Sequence, residues 1–479
     1  MSLKEKAVKG VVWVFVDKIF NQILPFIVYI YLANILAPSD FGLIGMLTVF
    51  TLFTKILVDS GFSSGLIQKG KSCTKKDFST VFYINILVAV ILYCFLFFCA
   101  PIISSFYSEP KLEFLSKILF LTVIIDSFGI IPIVKLTIDF DFKQLTKINI
   151  IVSILSLGIA IFMVNNDFSY WALVGLHLSR SFLSSILFLF MANWRPIFII
   201  SKQTLNDLLS FSLKFTLSVF VTRILSSLNI LLLGRYFDSV QIGFFTQAQG
   251  YSDKVISVLG STLQSVTFPI LSSVNTDKER MIEIYKKIFQ LTAFVSIPCL
   301  FGLAAISRNF VIVFLPSEWL PIIPVMQYLS LAGALTPILW LNVAILNANK
   351  RSDLFLKINI FKLPVSFLIL FFTVPQGIEA IALGQVVFSI FSFFVNAYYP
   401  GKLFGFGIIK QLKMIIPIIL SSSIMMLLIR FVELENMKLT LLFKVSSGVF
   451  VFIVLSCLIQ PKFMNANYIL LKKNGKSNN

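Results

Sequence analysis

Long apolar runs separated by short polar segments dominate the chain. They lie at residues 10–33, 41–67, 78–104, 112–134, 145–165, 168–192, 208–233, 240–272, 285–307, 319–346, 354–374, 378–399, 410–430 and 440–460. A bilayer core about 30 Å thick is crossed by a helix of about 20 apolar residues, and the runs match that length. A membrane β-barrel would instead show segments of about ten residues alternating apolar and polar. The pattern predicts an all-α integral membrane protein of about fourteen transmembrane helices. The runs at 41–67 and 240–272 are longer than a bilayer requires, so a tilt, a kink or an extension past the bilayer is expected in each.

The polar segments alternate in charge. With the N-terminus placed on the inside, the inside segments carry clusters of basic residues, among them Lys69, Lys71, Lys75 and Lys76. The outside loops carry only Lys111, Arg235, Arg308 and Lys438. This asymmetry predicts an even number of spans with both termini cytoplasmic. The basic stretch Met1 to Gly10 resembles the start of a signal peptide. The apolar run behind it continues to about Leu36 with no small-residue cleavage site, and it reads as the first span. The halves are weakly related. Leu32–Gly42 (LANILAPSDFG) and Leu233–Gly243 (LGRYFDSVQIG) align without gaps. A shift of about 200 residues relates six spans to the next six. The expected organisation is an N-terminal lobe at 1–205, a C-terminal lobe at 206–400, and a helix pair with a basic tail at 401–479. Parallel repeats of this kind are common in transporters.

Composition narrows the function classes. The 479 residues are 57% hydrophobic and 13% charged, with mean hydropathy +0.92. Soluble domains are about 45–50% apolar and about 25% charged. The net charge of +18 sits in short loops, where membrane orientation explains it, so no nucleic-acid partner is expected. Cys73, Cys94, Cys99, Cys299 and Cys457 form no CxxC, and four of them fall in apolar runs. No metal site, disulfide framework or cofactor is expected. No GxxxxGK[ST] motif occurs, which excludes a P-loop ATPase. One histidine and no clustered acids argue against hydrolytic catalysis, so the chain reads as a transporter and not an enzyme. Asp139-Phe140-Asp141 has the DxD form that glycosyltransferases use, a weak three-letter match in a loop.

Charges inside the runs are the candidate chemistry, because such residues usually face a cavity, the bundle interior or a partner. The deep ones are Asp17, Lys18, Lys55, Asp59, Asp126, Arg180, Arg223, Asp253 and Lys254, with His177 beside them. Lys117, Lys214, Lys362, Arg430 and Lys444 lie nearer span ends, where long side chains can reach the interface. Helical spacing arranges polar residues in stripes. Thr48, Thr51, Lys55 and Asp59 share one face of the second span. Ser212, Thr216, Arg223 and Ser227 share one in the seventh. Thr246, Gln249, Asp253, Ser257, Ser261 and Gln264 form one in the eighth. The first span offers Lys18, Gln22, Pro25 and Tyr29, and the sixth His177, Arg180 and Ser184. A shared polar interior and simple helix–helix hydrogen bonding are both open for the Ser and Thr positions. Asp59 lies one turn from Lys55 and can neutralise it. Arg180 and Arg223 have no acid on their own helical faces. Their counter-charge is either an acid on another helix, Asp253 or Asp126, or a bound anion held by the guanidinium fork.

Eight strings carry a family resemblance: LANILAPSDFGLIGML (32–47), DSGFSSGLIQK (59–69), APIISSFYSEP (100–110), YWALVG (170–175), NWRP (193–196), LNILLLGRYF (228–237), FPILSSV (268–274) and FLPSEWLP (314–321). In order and spacing they resemble the Wzx-like polysaccharide exporters of the multidrug/oligosaccharidyl-lipid/polysaccharide superfamily. The resemblance implies a MATE-like bundle of two six-helix lobes plus a C-terminal helix pair, with a central cavity lined chiefly by spans 1, 2, 7 and 8. It implies alternating-access export of an undecaprenyl-pyrophosphate-linked oligosaccharide across a bacterial cytoplasmic membrane. The product would be lipopolysaccharide O-antigen, capsule, exopolysaccharide or teichuronic acid, with membrane lipid and a polysaccharide polymerase as further partners. The candidate substrate-binding residues are then Arg180, Arg223, Lys18, Lys55, Lys254, His177 and Gln249. Asp17, Asp59, Asp253 and Asn229 are the candidate coupling or structural residues. Many relatives carry an acid where this chain has Asn229, which puts cation coupling through that position in doubt. A multidrug–cation antiporter and a membrane glycosyltransferase or ligase are the competing readings. The first would want unpaired acids in the cavity, and the second a large catalytic loop.

Overall fold

The computed structural model describes residues 3–461 except Ser60, Asn193, 274–277 and Lys350, without the side chains of 3–12, 14–15, 210–211, 213–215, 217–218, 221–228, 261–273, 278, 348 and 352–353. All regular structure among the described residues is helical. The first half holds α1 (Leu3–Ala33), α2 (Pro38–Asp59), α3 (Phe62–Lys69), α4 (Lys75–Tyr107), α5 (Lys111–Leu119), α6 (Leu121–Ile138), α7 (Phe142–Asn165) and α8 (Trp171–Met191). Then come α9 (Lys202–Tyr236), α10 (Ser239–Ser273), α11 (Lys278–Phe314), α12 (Ile322–Gly333), α13 (Thr336–Ala348), α14 (Ser352–Thr373), α15 (Ile378–Phe404), α16 (Ile408–Arg430) and α17 (Met437–Ile459). Among the described residues 12 helical segments are long and apolar enough to cross a membrane. Beside these stand α9 and α10, each 35 residues long.

Three apolar runs are broken where one helix was expected. The run at 41–67 divides into α2 and α3 at Gly61, whose φ of 70° is left-handed and suits a residue without Cβ. The run at 112–134 divides into α5 and α6 at Phe120, and the run at 319–346 into α12 and α13 at Ala334–Leu335. The last two are the fourth and tenth runs, six runs apart.

The chain forms two compact units, residues 1–246 and 247–479. This division falls beyond residue 205, the boundary expected from the repeat, because α9 packs on α2, α3 and α4 within the first unit. The first unit is otherwise built on α7 against α1 and α8, and on α6 against α4 and α8. In the second, α11 packs on α12, α16 and α17, and α15 on α12 and α14. Large apolar side chains point outward: Phe98 is 78% exposed, Phe371 75% and Phe450 69%. Small polar side chains such as Ser79, Asn85, Ser127 and Ser392 are buried. That inversion suits lipid, where helices hold together through close packing and interhelical hydrogen bonds.

Polar side chains also join the elements of each unit. Thr74 and Asp77 form a reciprocal cap on α4. Asp77 also accepts from Lys69 Nζ at 2.8 Å and from Thr204 Oγ1 at 2.7 Å, tying the start of α9 to the start of α4. The Asp77 carboxylate holds the Lys69 ammonium above the ordinary lysine range. In the second unit Tyr285, Asn342 and Gln411, all fully buried, link α11, α13 and α16. Asn342 Nδ2 donates to Gln411 Oε1 at 3.1 Å, and Tyr285 donates to Asn342 Oδ1. Lys444 and Lys362, discounted above as interface-reaching, are 3% and 7% exposed. Lys444 instead donates to Asn309 Oδ1 at 2.9 Å, docking α17 on α11.

Candidate functional site

Within the first unit a cavity of about 540 Å³ opens between α2–α3, α6 and α8. Its polar wall is made by Lys55, Asp59, Ser63, Asp126, His177 and Arg180. Three local features shape it. The break at Gly61 ends α2 and starts α3. Asp59 stays at the junction because its carboxylate caps α3, accepting from the Ser63 amide at 3.2 Å and from the Ser63 hydroxyl; an acid suits a helix N-terminus. On the far wall Ser185 Oγ donates to the Ile125 carbonyl at 2.5 Å. A Cβ added at Gly129 would stand 3.2 Å from that oxygen, so a glycine lets α6 and α8 approach closely.

The spacing argument paired Lys55 with Asp59 one turn away, and the structure corrects it. Lys55 Nζ meets Asp126 Oδ2 on α6 at 2.8 Å, while Asp59 is engaged by Ser63. Asp126 therefore serves Lys55 and not an arginine. Arg180 is exposed and makes no ion pair among the described residues. His177 lies one turn before it on α8 and lines the same cavity.

The other described candidates do not line this cavity. Asp17 sits in the seam of α1 and α7, accepting from Asn149 Nδ2 at 3.0 Å and Asn21 Nδ2 at 3.1 Å. Asn21 in turn accepts from Ser153. Lys18, half-buried beside it, makes no ion pair among the described residues. Gln249, Asp253 and Lys254 belong to the second unit. Gln249 hydrogen-bonds Asp253, and Lys254 Nζ stands 5.7 Å from the Tyr251 ring centroid. Asn229 is half-buried on α9, and its Oδ1 has no partner among the described residues. The side chains of Arg223, Ser261 and Gln264 lie outside the described residues. The DxD string is a helix junction: Asp141 caps α7 through the Gln144 amide at 3.1 Å, and Asp139 pairs with Lys135 at 3.8 Å.

Comparisons with known proteins agree with this architecture. The chain is 26% identical over 361 residues to the teichuronic acid biosynthesis protein TuaB of Bacillus subtilis, covering 74% of this chain and 73% of that one. It is 24% identical over 407 residues to the lipopolysaccharide biosynthesis protein WzxC of Escherichia coli, covering 82% of each. Among solved structures, the lipid II flippase MurJ in an inward closed conformation superposes with TM-score 0.77 at 14% identity, over 95% of this chain and 100% of that one. An inward-facing multidrug resistance MATE transporter gives 0.64 at 14% identity, over 80% and 95%. At such identity these two likenesses are of fold. The family described as polysaccharide biosynthesis protein matches residues 31–324, more than half of the sequence, and the chain belongs to that family.

Proposed function

We propose that this protein flips a lipid-linked oligosaccharide, carried on undecaprenyl pyrophosphate, across a bacterial cytoplasmic membrane for surface-polysaccharide synthesis. Membership of the polysaccharide biosynthesis family, the names of its relatives and the fold it shares with a lipid flippase support the reading: the chain is a membrane transporter and not a catalyst. The observation that carries it furthest is the cavity of the first unit, where Arg180 lies without an ion pair among the described residues beside His177 and Lys55. An unaided pyrophosphate cannot cross hydrocarbon, because its desolvation is prohibitive. A guanidinium fork matches its oxygens and replaces part of its water. The lipid tail stays in the bilayer while alternating access exposes the site to each side in turn. Both termini are cytoplasmic in this scheme. In this proposal Arg223 and Lys18, both in the first unit, meet the same head group.

A multidrug–cation antiporter fits the cavity less well. Asp126 is paired with Lys55 and Asp59 is held through one oxygen by Ser63, so among the cavity's acids only Asp59 is left to meet a cationic guest. The test is polymer export in cells. Arg180→Ala and Arg223→Ala should accumulate in the membrane yet lose export at least tenfold, and Arg→Lys should restore part of it, since an ammonium cannot make the bidentate contact. Full export by both alanine variants refutes the head-group assignment.

A further inference from the structure

We infer that Asp126 is an internal stand-in for the substrate's phosphate, holding Lys55 while the cavity is empty and giving it up when the anion arrives. The inference rests on the anion-binding reading of this cavity. Lys55, Arg180, Asp59 and Asp126 all line it, so with both acids ionised the charged side chains of the wall balance. A neutral wall gives an incoming anion little net attraction. Affinity must come from an acid that yields its cation.

The two acids differ in how they are held. Asp59 is fixed by the amide and the hydroxyl of Ser63, contacts that cap a helix and that a guest anion could not replace. Asp126 has the Lys55 ammonium at 2.8 Å as its polar contact among the described residues. The Lys55 side chain is 55% exposed and that of Asp126 24%, so the cation is open to the cavity while its partner stands behind it. A phosphate oxygen can occupy the place of Asp126 Oδ2 on Lys55 while other oxygens of the same group meet Arg180. A divalent phosphate that engages two cations outcompetes a single carboxylate; a monovalent ion does not. Asp126 is thus a specificity-determining and positioning residue. It keeps Lys55 in place when no substrate is bound, raises the threshold against small anions, and promotes release by reclaiming the ammonium.

The experiment uses the full-length protein purified into nanodiscs, with inorganic pyrophosphate as the probe at fixed salt, and export in cells as the second readout. Asp126→Asn should bind pyrophosphate at least fivefold more tightly than wild type and export more slowly, because release becomes harder. The gain should shrink below twofold in a Lys55→Ala background, since the exchange runs through Lys55; a gain that persists there reflects removal of a nearby negative charge and overturns the exchange. Asp126→Ser serves the same comparison if the asparagine variant does not accumulate. Unchanged or weaker binding by these variants also overturns the inference while leaving the anion site standing. Absence of pyrophosphate binding by wild type, Asp126→Asn and Arg180→Ala alike overturns the anion site itself.

Discussion

Asp59 shows how much a single residue's role depends on its neighbours in space. Its spacing of four from Lys55 made an ion pair within one helix the natural expectation. The helix instead ends at Asp59, and the carboxylate turns to the first turn of α3. A cap needs an acceptor oxygen and not a charge. Asp59→Asn should therefore keep most export, because the amide oxygen still accepts from Ser63. Asp59→Ala should lower stability by about 1 kcal/mol, the usual worth of an N-terminal cap, read from the thermal unfolding midpoint in detergent. Loss of export in the asparagine variant, with stability unchanged, would show that the charge itself is required. The candidate cations Lys55 and Arg180 were legible in the sequence because a charge in an apolar run is costly wherever it points. The pairing of Lys55 with Asp126 was not, because it depends on how α2 packs against α6, and no spacing along either helix encodes that.

At the scale of elements, apolar run length revealed the helices and missed their breaks. Gly61 sits in a Gly- and Ser-rich stretch that hints at its break, whereas the junction at Phe120 has no glycine or proline at it and comes from tertiary packing. The aligned segments Leu32–Gly42 and Leu233–Gly243 also meet in space. Gly42 and Gly243 are equivalent in the alignment, as are Pro38 and Ser239. A Cβ built at Gly42 would fall 1.7 Å from the Ser239 carbonyl oxygen, and one built at Gly243 would fall 1.9 Å from that of Pro38. The starts of α2 and α10 thus press on each other reciprocally. Backbone cannot move aside as a side chain can, so Gly42→Ala and Gly243→Ala should each cost about 1–3 kcal/mol as overpacked sites. Gly45→Ala is the control. Its Cβ would meet the Thr246 methyl at 2.7 Å, a side chain able to shift, and its melting midpoint should fall less. Equal losses at all three positions would show that the reciprocal backbone contact has no special weight.

For the whole molecule the remaining question is which way the bundle faces, and geometry separates it into two parts. Lys143 lies at the start of α7, which has 24 residues and so is about 36 Å long at 1.5 Å per residue. Asp167 follows its end, in the tight turn to α8. A helix longer than the hydrocarbon core must place these two residues on opposite faces if it crosses. Gln376, beyond the end of α14, and Lys71, between α3 and α4, extend the same comparison, and all four positions are exposed. The sign comes from charge: the basic loops are expected in the cytoplasm, which places Lys71 and Lys143 inside and Asp167 and Gln376 outside. The measurement is single-cysteine labelling in a cysteine-free background. The native Cys73 is itself a poor reporter, since burial raises its pKa. An impermeant maleimide applied to intact cells should modify cysteine introduced at Asp167 and Gln376 and spare Lys71 and Lys143 until the membrane is made permeable. Labelling of Lys143 and Asp167 from one side would mean that α7 does not cross, and would overturn the span assignment. A clean reversal of all four would preserve the helices and overturn only the orientation, and with it the cytoplasmic placement of both termini.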